Sequence, residues 1–326
     1  MNPQDVLSLL NMNIHSLSAD STGVVLALMS AVCWAVGSSV YKKGLEGTNP
    51  WSGNLVRTGC AALGFLFIVV VKGTVSTLSS ITLHLLLWLI FSAFFAFFLG
   101  DLLFLTSLKR IGVSRTVPVS STYPLFVTVW AFIVYKRPVS LFIVVGTLFI
   151  VVAIKLISGE GNKTTNTGKD KGKDEDRNEQ DEREDTQNSN HSKGILLALL
   201  AAVCWSISVI VLDYLLLFLP TEAVAVVRFF ITFLLTAAVV STQTFTFNKS
   251  ALLWIGIGGT VLLVFSNYMF LEAIKLASST KVAPISAVYP VISVFLAAIF
   301  LKERLTRRVI GGTLMSFLGI FLVTLG

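Results

Sequence analysis

Apolar residues run through this chain in long stretches that short polar segments separate. Ten of these stretches are nearly free of charge, and none has the polar face of a helix on a soluble core. A run of about 20 apolar residues spans a bilayer, where it must be helical to satisfy its own backbone groups. The pattern predicts membrane-spanning helices over 22–41, 51–71, 84–107, 114–135, 138–157, 194–212, 221–240, 251–275, 281–301 and 306–325.

One long polar segment, 158–193, interrupts this pattern. It contains seven Lys and Arg, ten Asp and Glu and no large apolar side chain. Because such a segment cannot bury enough apolar surface to fold, we predict a disordered linker. The linker separates a first half, 22–157, from a second half, 194–326. Residues 1–21 form an N-terminal tail without the basic start of a signal peptide, so we expect the first span to remain as a membrane helix.

The two halves repeat each other in one collinear order. At an offset of 171 residues Ala31-Val32-Cys33-Trp34 matches Ala202-Val203-Cys204-Trp205 and Arg57 matches Arg228, and at an offset of 166 Pro118 matches Pro284 and Tyr123-Pro124 matches Tyr289-Pro290. Because each half has an odd number of predicted spans, the second half enters the membrane in the opposite orientation. The predicted fold is an all-α integral membrane protein with ten transmembrane helices in two inverted five-helix repeats.

Composition agrees with this fold and excludes several functions. The chain is 54% hydrophobic and 13% charged, with a mean hydropathy of +0.81, whereas soluble domains are about a quarter charged. The net charge of +7 lies mainly in short connections between spans, so it predicts no nucleic-acid partner. Cys33, Cys60 and Cys204 fall inside spans and lack both disulfide and metal-ligand spacing. We therefore expect no metal and no cofactor.

These motifs resemble the drug/metabolite transporter superfamily, specifically its EamA-type members. The resemblance rests on the repeated Ala-Val-Cys-Trp core, the Pro-x5-Pro spacing in spans four and nine, and the segment 301–306 followed by Gly311-Gly312. The first half departs from the pattern, because residues 136–140 contain no equivalent of Glu303. The resemblance implies a secondary-active exporter of a small metabolite, such as an amino acid or a related organic solute, in the cell membrane. Its implied partners are membrane lipid, a small-molecule substrate and a coupling proton or ion.

Charged residues inside predicted spans are candidates for the transport pathway, because each costs about 2.5–3.5 kcal/mol to insert. Arg57 lies about six residues into span two and Asp101 about six residues before the end of span three. Since these spans are antiparallel, the two side chains lie at similar depth, and we predict a pair that faces the cavity. The alternative is that Arg57 extends to the membrane surface. In the second half the equivalent residues are Arg228 and Asn267.

The prolines of spans four and nine mark a second set of candidates. Each proline removes a helix hydrogen bond, and the exposed carbonyl groups require cover by protein or a water-filled cavity. Polar side chains near these kinks are predicted to line the cavity; the alternative is that the serines satisfy the kinked backbone. The kink residues are Pro118, Pro124, Pro284 and Pro290, and the neighbouring donors are Ser120, Ser121, Tyr123, Ser286 and Tyr289. Trp34 and Trp205, in mid-span, are either pocket walls or packing residues.

Two other classes of function compete with transport. An intramembrane aspartyl protease needs two facing carboxylates, and Asp101 with Asp213 is the candidate pair; residue 98, however, is Phe where such enzymes have glycine. The sequence contains no His-Glu-x-x-His, no Gly-x-Ser-x-Gly and no P-loop. We therefore expect no enzyme. A membrane scaffold or receptor that does not transport remains as the other alternative.

The orientation of the chain has two conflicting predictions. Short connections on the side of the N-terminus carry five Lys and Arg residues, and those on the other side carry ten. The positive-inside rule therefore predicts that both termini lie outside the cell. The EamA resemblance implies cytoplasmic termini.

Overall fold

The chain folds into packed helices that match the apolar stretches. The structure, a computed structural model, describes residues 3–135, 140–158, 174–242, 249, 252–277, 279–286 and 288–325, and every regular element within them is a helix. Besides a single helical turn at Ser76–Ser79, the helices are α1 (Pro3–Gly44), α2 (Pro50–Val71), α3 (Leu83–Ile111), α4 (Val113–Ser120), α5 (Tyr123–Tyr135), α6 (Leu141–Ser158), α7 (Asp174–Phe218), α8 (Thr221–Val240), α9 (Leu252–Ala277), α10 (Ser279–Ser286), α11 (Tyr289–Phe300) and α12 (Arg307–Leu325).

Six helical segments among the described residues are long and apolar enough to cross a membrane. They are Ser21–Gly44, Pro50–Val71, Leu83–Ile111, Ser189–Phe218, Thr221–Val240 and Leu252–Ala277, with Val144–Ile157 and Tyr289–Phe300 as shorter apolar helices. The count of ten spans therefore stays a prediction. Two of the predicted spans are divided: 114–135 into α4 and α5, and 281–301 into α10 and α11. Each division falls between two prolines that cannot donate a backbone hydrogen bond.

Part of the predicted disordered linker is helical, and the N-terminal tail is helical as well. Residues 159–173 of the linker lie outside the described residues, but α7 already begins at Asp174 and continues into the apolar stretch. Glu, Gln and Arg are good helix formers, and Glu179 stands four residues before Arg183, a spacing that supports a solvated helix. At the N-terminus α1 likewise begins at Pro3, although its membrane-spanning segment begins only at Ser21.

The main helix contacts join the two halves in a reciprocal pattern. Helix α1 packs along α9, and its equivalent in the second half, α7, packs along α3. Two pairs of equivalent helices meet each other directly, α2 with α8 and α6 with α12. Helix α4 packs on α11, and the reciprocal contact joins α10, the equivalent of α4, to α5. Each half therefore supplies one wall of any cavity at the interface between them.

A π-helical segment precedes Asp101 in the middle of α3. It covers Phe94–Gly100, and the Asp101 N–H donates to the carbonyl oxygen of Ala96. Such a segment widens the helix by one residue per turn and is common at functional sites. Asp101, a charged residue inside a membrane-spanning segment, therefore directly follows an irregular turn of its helix.

The two halves contact each other through different polar groups at the two ends of the bundle. At the end where α3 finishes, the Glu303 carboxylate accepts hydrogen bonds from the backbone N–H groups of Val113 and Ser114, each at 2.9 Å. At the opposite end, Lys72 Nζ lies 2.9 Å from Glu222 Oε2. The hydrogen bond to Glu222 raises the pKa of Lys72 above its usual value.

Candidate functional site

A cavity of about 120 Å³ lies between the two halves, and equivalent residues of both halves line it. The equivalent pairs on its wall are Trp34 and Trp205, Ser38 and Val209, Tyr41 and Leu212, Arg57 and Arg228 at the offset of 171, and Phe97 and Leu263, Asp101 and Asn267, Phe104 and Phe270, Tyr123 and Tyr289 at the offset of 166. Residues that are equivalent in the two sequence repeats thus surround one cavity.

Arg57 and Asp101 form a buried ion pair on the wall of this cavity. Their exposed fractions are 3% and 5%, so the structure brings these two predicted residues together and away from the membrane surface. Arg57 Nη2 also donates to Asn54 Oδ1 at 3.0 Å, and its guanidinium lies 5.0 Å from the centroid of the Tyr41 ring. These contacts hold the guanidinium in one orientation, while its Nε atom has no hydrogen-bond partner.

Trp205 connects the second half to this ion pair. Its indole N–H donates to Asp101 Oδ1 at 2.9 Å, so both carboxylate oxygens of Asp101 are engaged. The close approach depends on Gly100, because a Cβ atom there would lie 2.8 Å from Trp205 Cδ1 and 2.7 Å from the carbonyl oxygen of Phe95. Trp205 is therefore both a cavity wall and a hydrogen-bond donor.

Arg228 has a different environment from its equivalent Arg57. It is 2% exposed, donates from Nη2 to Ser208 Oγ at 2.8 Å, and lies 4.6 Å from the centroid of the Phe97 ring. Asn267, which corresponds to Asp101, donates instead to the carbonyl oxygen of Leu263 in its own helix at 3.0 Å. Both predicted residues line the cavity, but the amide does not take the place of the carboxylate.

The tyrosines and serines beside the kinks form reciprocal contacts between the halves. Tyr123 Oη lies 2.8 Å from Ser286 Oγ, and the Tyr289 hydroxyl interacts with those of Ser120 and Ser121. Both tyrosines line the cavity, whereas the three predicted serines are absent from its wall. Each serine hydroxyl donates to a carbonyl oxygen of its own helix, with Ser121 reaching Val117 at 2.6 Å. The structure thus places the serines behind the tyrosines, where their hydroxyls bond to carbonyl oxygens of the preceding helical turn.

Of the remaining predicted residues, Trp34 lines the cavity and the described prolines do not. Trp34 lines the cavity and packs against Phe270, with ring centroids 4.8 Å apart. Pro118, Pro124 and Pro290 are buried at the helix divisions and are not among the lining residues. Pro284 lies in α10, but its side chain is outside the described part of the chain.

Several lining residues were not predicted, although the sequence carries a signal for some of them. Ser38 and Tyr41 follow Trp34 by four and seven residues, the spacing of one helix face. Phe104 and Phe270 match at the offset of 166. Phe97 and Ser208 have no identical counterpart in the other half, and only the packing reveals them. Among the described residues no group of three His, Cys, Asp or Glu side chains could hold a metal ion.

Comparison with known proteins agrees with this arrangement. The model of the EamA-like transporter family matches residues 21–159 and 192–325, one match in each half. An uncharacterized transporter of Archaeoglobus fulgidus is 30% identical over 93% of this chain and 98% of its own length. An uncharacterized transporter of Clostridium kluyveri is 26% identical over 46% of this chain and 47% of its own.

The fold also has a counterpart among solved structures. One crystal structure aligns with a TM-score of 0.59 and 16% identity over 95% of this chain and 96% of the other. At this identity the likeness concerns the fold alone. Together with the family match in both halves and the apolar helices, it identifies a multi-pass integral membrane protein. The chain belongs to the EamA-like transporter family.

Proposed function

We propose that this chain is a secondary-active exporter of a small metabolite, such as an amino acid or a related organic solute. Two inverted repeats of five membrane-spanning helices each would alternate access to the cavity between them. The observation that carries this proposal is that equivalent residues of the two halves line one cavity. In transporters built from inverted repeats the substrate site lies at the interface of the repeats.

The helix packing supports the same proposal. Equivalent helices meet across the interface, and the pairing of α1 with α9 has its reciprocal in α7 with α3. Such an interface offers two similar arrangements of the halves, which alternating access requires. Polar contacts hold the halves at both ends of the bundle, through Glu303 at one end and Lys72 at the other. A cycle would break these contacts one end at a time.

The contacts of the two candidate aspartates favour transport over proteolysis. A protease dyad needs two carboxylates that share a proton. Asp101 accepts from Arg57 and Trp205, and Asp213 accepts from the backbone N–H and the hydroxyl of Ser279. Each carboxylate thus has its own set of donors. A scaffold or receptor would not need a buried ion pair on the wall of a cavity between the halves.

Solute flux in proteoliposomes tests the proposed function. The purified protein is reconstituted and loaded with a panel of labelled amino acids and organic acids, and efflux is followed with and without a pH gradient. We expect protein-dependent efflux of at least one solute, which Arg57→Ala reduces strongly. Efflux equal to that of empty liposomes for the whole panel, with a protein that remains folded, would favour the scaffold or receptor.

Reporter fusions at residue 326 and within 165–190 test the membrane arrangement. The proposal of ten spans places residue 326 on the side of the N-terminus and residues 165–190 on the other side. The same experiment decides between the two predicted orientations. A reporter at residue 326 on the opposite side from the N-terminus would contradict the even number of spans.

A further inference from the structure

Arg228 is a buried cation whose hydrogen-bonding capacity is only partly used. The side chain is 2% exposed and lines the cavity. Its Nη2 donates to Ser208 Oγ, which in turn lies 2.8 Å from Ser92 Oγ, but its Nε atom has no hydrogen-bond partner. Two neutral hydroxyl groups cannot neutralise a guanidinium. The group therefore faces the cavity with both charge and donor capacity available.

The charges around the cavity do not balance. Its lining residues include two guanidinium groups, Arg57 and Arg228, and a single carboxylate, Asp101. Asp101 is engaged on one oxygen by Arg57 and on the other by Trp205. Among the described residues the ion pairs are Arg57 with Asp101 and Lys72 with Glu222, and neither involves Arg228. The lining of the cavity thus carries one positive charge in excess.

The chemistry of this wall selects a particular kind of ligand. A guanidinium presents a planar set of donors that matches a carboxylate, and the pair gains strength in a site that excludes water. The remaining wall is largely apolar and aromatic, with Phe97 stacked beside Arg228 and Trp34 against Phe270. A ligand ammonium would find the only lining carboxylate of the described residues already paired with Arg57.

We propose that Arg228 binds the carboxylate of an organic anion that has an apolar body and no ammonium group. Arg57, Asp101 and Trp205 act as positioning residues that fix one another and leave Arg228 as the anchor. This inference rests on the proposed function, because it takes the ligand of the cavity to be the transported solute. The inference narrows the class of transported solute from amino acids and related compounds to organic monoanions.

Three probes of nearly equal shape test the charge preference. They are 3-phenylpropionate, its neutral amide 3-phenylpropionamide, and L-phenylalanine, which adds an ammonium to the same acid. Binding to the purified full-length protein is measured by quenching of intrinsic tryptophan fluorescence and by the ligand-dependent shift of Tm. We expect the acid to bind at least about tenfold more tightly than either of the other two, a typical effect of one charge-assisted pair.

Substitutions of Arg228 test whether this residue causes the tighter binding of the acid. Arg228→Met should abolish the preference for the acid over the amide, and Arg228→Lys should retain part of it because the charge remains. Arg110→Met removes one positive charge from an exposed arginine and serves as the matched control, with the preference unchanged. Because Arg228 lacks an acidic partner, Arg228→Met should fold and have a Tm at or above that of the wild type. A large loss of Tm would reveal a purely structural arginine and overturn the inference.

The outcome separates this inference from the proposed function. Equal binding of the acid and the amide, tighter binding of L-phenylalanine, or an unchanged preference in Arg228→Met would each overturn the inference, whatever the flux measurements give. Preferential binding of the acid without protein-dependent flux of it in proteoliposomes would leave the anion site in place. That result would contradict transport of this anion. If no solute of the wider panel showed protein-dependent flux either, the proposed function would be contradicted.

Discussion

The indole N–H of Trp205, in the second half, donates to the Asp101 carboxylate of the first half at 2.9 Å. Trp205 is the repeat equivalent of Trp34, whose ring packs against Phe270 and Tyr289. Trp205 packs in the same way against Phe104, with ring centroids 5.1 Å apart, so the same position is an aromatic wall in both halves and in the second half is also a hydrogen-bond donor. The two halves differ most at the ion pair itself, where Asp101 corresponds to Asn267.

Trp205→Phe should weaken the site while it preserves the apolar wall. The substitution leaves one oxygen of a buried carboxylate without its donor, which costs about 1.5–3 kcal/mol for a charged group. We expect a lower Tm and a several-fold loss of transport. Trp88→Phe, which removes a hydrogen bond to the exposed His84, is the control and should change neither quantity. Equal effects of the two substitutions would show that the bond to Asp101 has no special role.

Arg57 and Asp101 should be energetically coupled. Arg57→Met or Asp101→Leu leaves the partner as an unmatched buried charge, at a cost of about 3–5 kcal/mol. The double variant restores neutrality and should recover expression and Tm but not transport, because the positioning of the cavity wall is lost. Thermal unfolding of the four proteins gives the coupling energy. A coupling below about 0.5 kcal/mol would mean that the two side chains act independently.

Gly100→Ala should disrupt the contact between the halves at Trp205. The added Cβ atom would lie under 3.0 Å from both a backbone oxygen and the indole ring, so the ring must move away from Asp101. We expect reduced Tm and reduced transport. Gly311→Ala is the matched control, since a Cβ atom there meets nothing within 4 Å and alanine favours a helix by about 1 kcal/mol. A Gly100→Ala protein as stable as Gly311→Ala would contradict the close packing.

Glu303→Gln should loosen the end of the bundle where α4 begins. The carboxylate accepts from two backbone N–H groups beside Gly112, which has a φ of +81°. An amide offers only one acceptor oxygen and no charge to the helix N-terminus, where a negative charge contributes about 0.3–1 kcal/mol. We expect faster hydrogen exchange at 113–116 than in the wild type. Glu272→Gln makes the same chemical change in α9 and should leave that exchange unchanged.

Residue positions along antiparallel helices were sufficient to predict the contact of Arg57 with Asp101, because both lie at one depth in neighbouring spans. The repeated proline spacing was sufficient to indicate Tyr123 and Tyr289 as residues that line the cavity. The position of Trp205 against Asp101 could not be predicted, since it depends on how α7 packs against α3.

Local competition for hydrogen bonds explains the other differences. Asn267 and the kink serines bond to carbonyl oxygens of their own helices, an option that a residue pattern does not exclude. The helical start at Asp174 reflects helix propensity, whereas the linker prediction considered only the lack of apolar surface.

The pair of Lys72 and Glu222 should not respond to pH in the physiological range. The hydrogen bond raises the pKa of Lys72, so the stability from its charge is fully present below the ordinary lysine value of about 10.4. That stability is lost only as the pH rises through the higher pKa of the folded protein. Lys72→Met should therefore lower Tm by a similar amount at about pH 6 and about pH 9, because the Glu222 carboxylate, which is 1% exposed, loses its partner at both pH values. A loss confined to one of these pH values would contradict this assignment.

The exposure of Lys72 makes one end of the molecule sensitive to ionic strength. Its side chain is 42% exposed, and at physiological salt charges in water are screened over about 8 Å. The contact of Glu303 with α4 uses backbone donors of a buried helix start, which dissolved ions reach poorly. In the proposed cycle of alternating access, a higher salt concentration at the Lys72 end would therefore favour opening of that end alone. The medium on one side of the membrane would then bias the direction in which the cavity faces before any solute arrives.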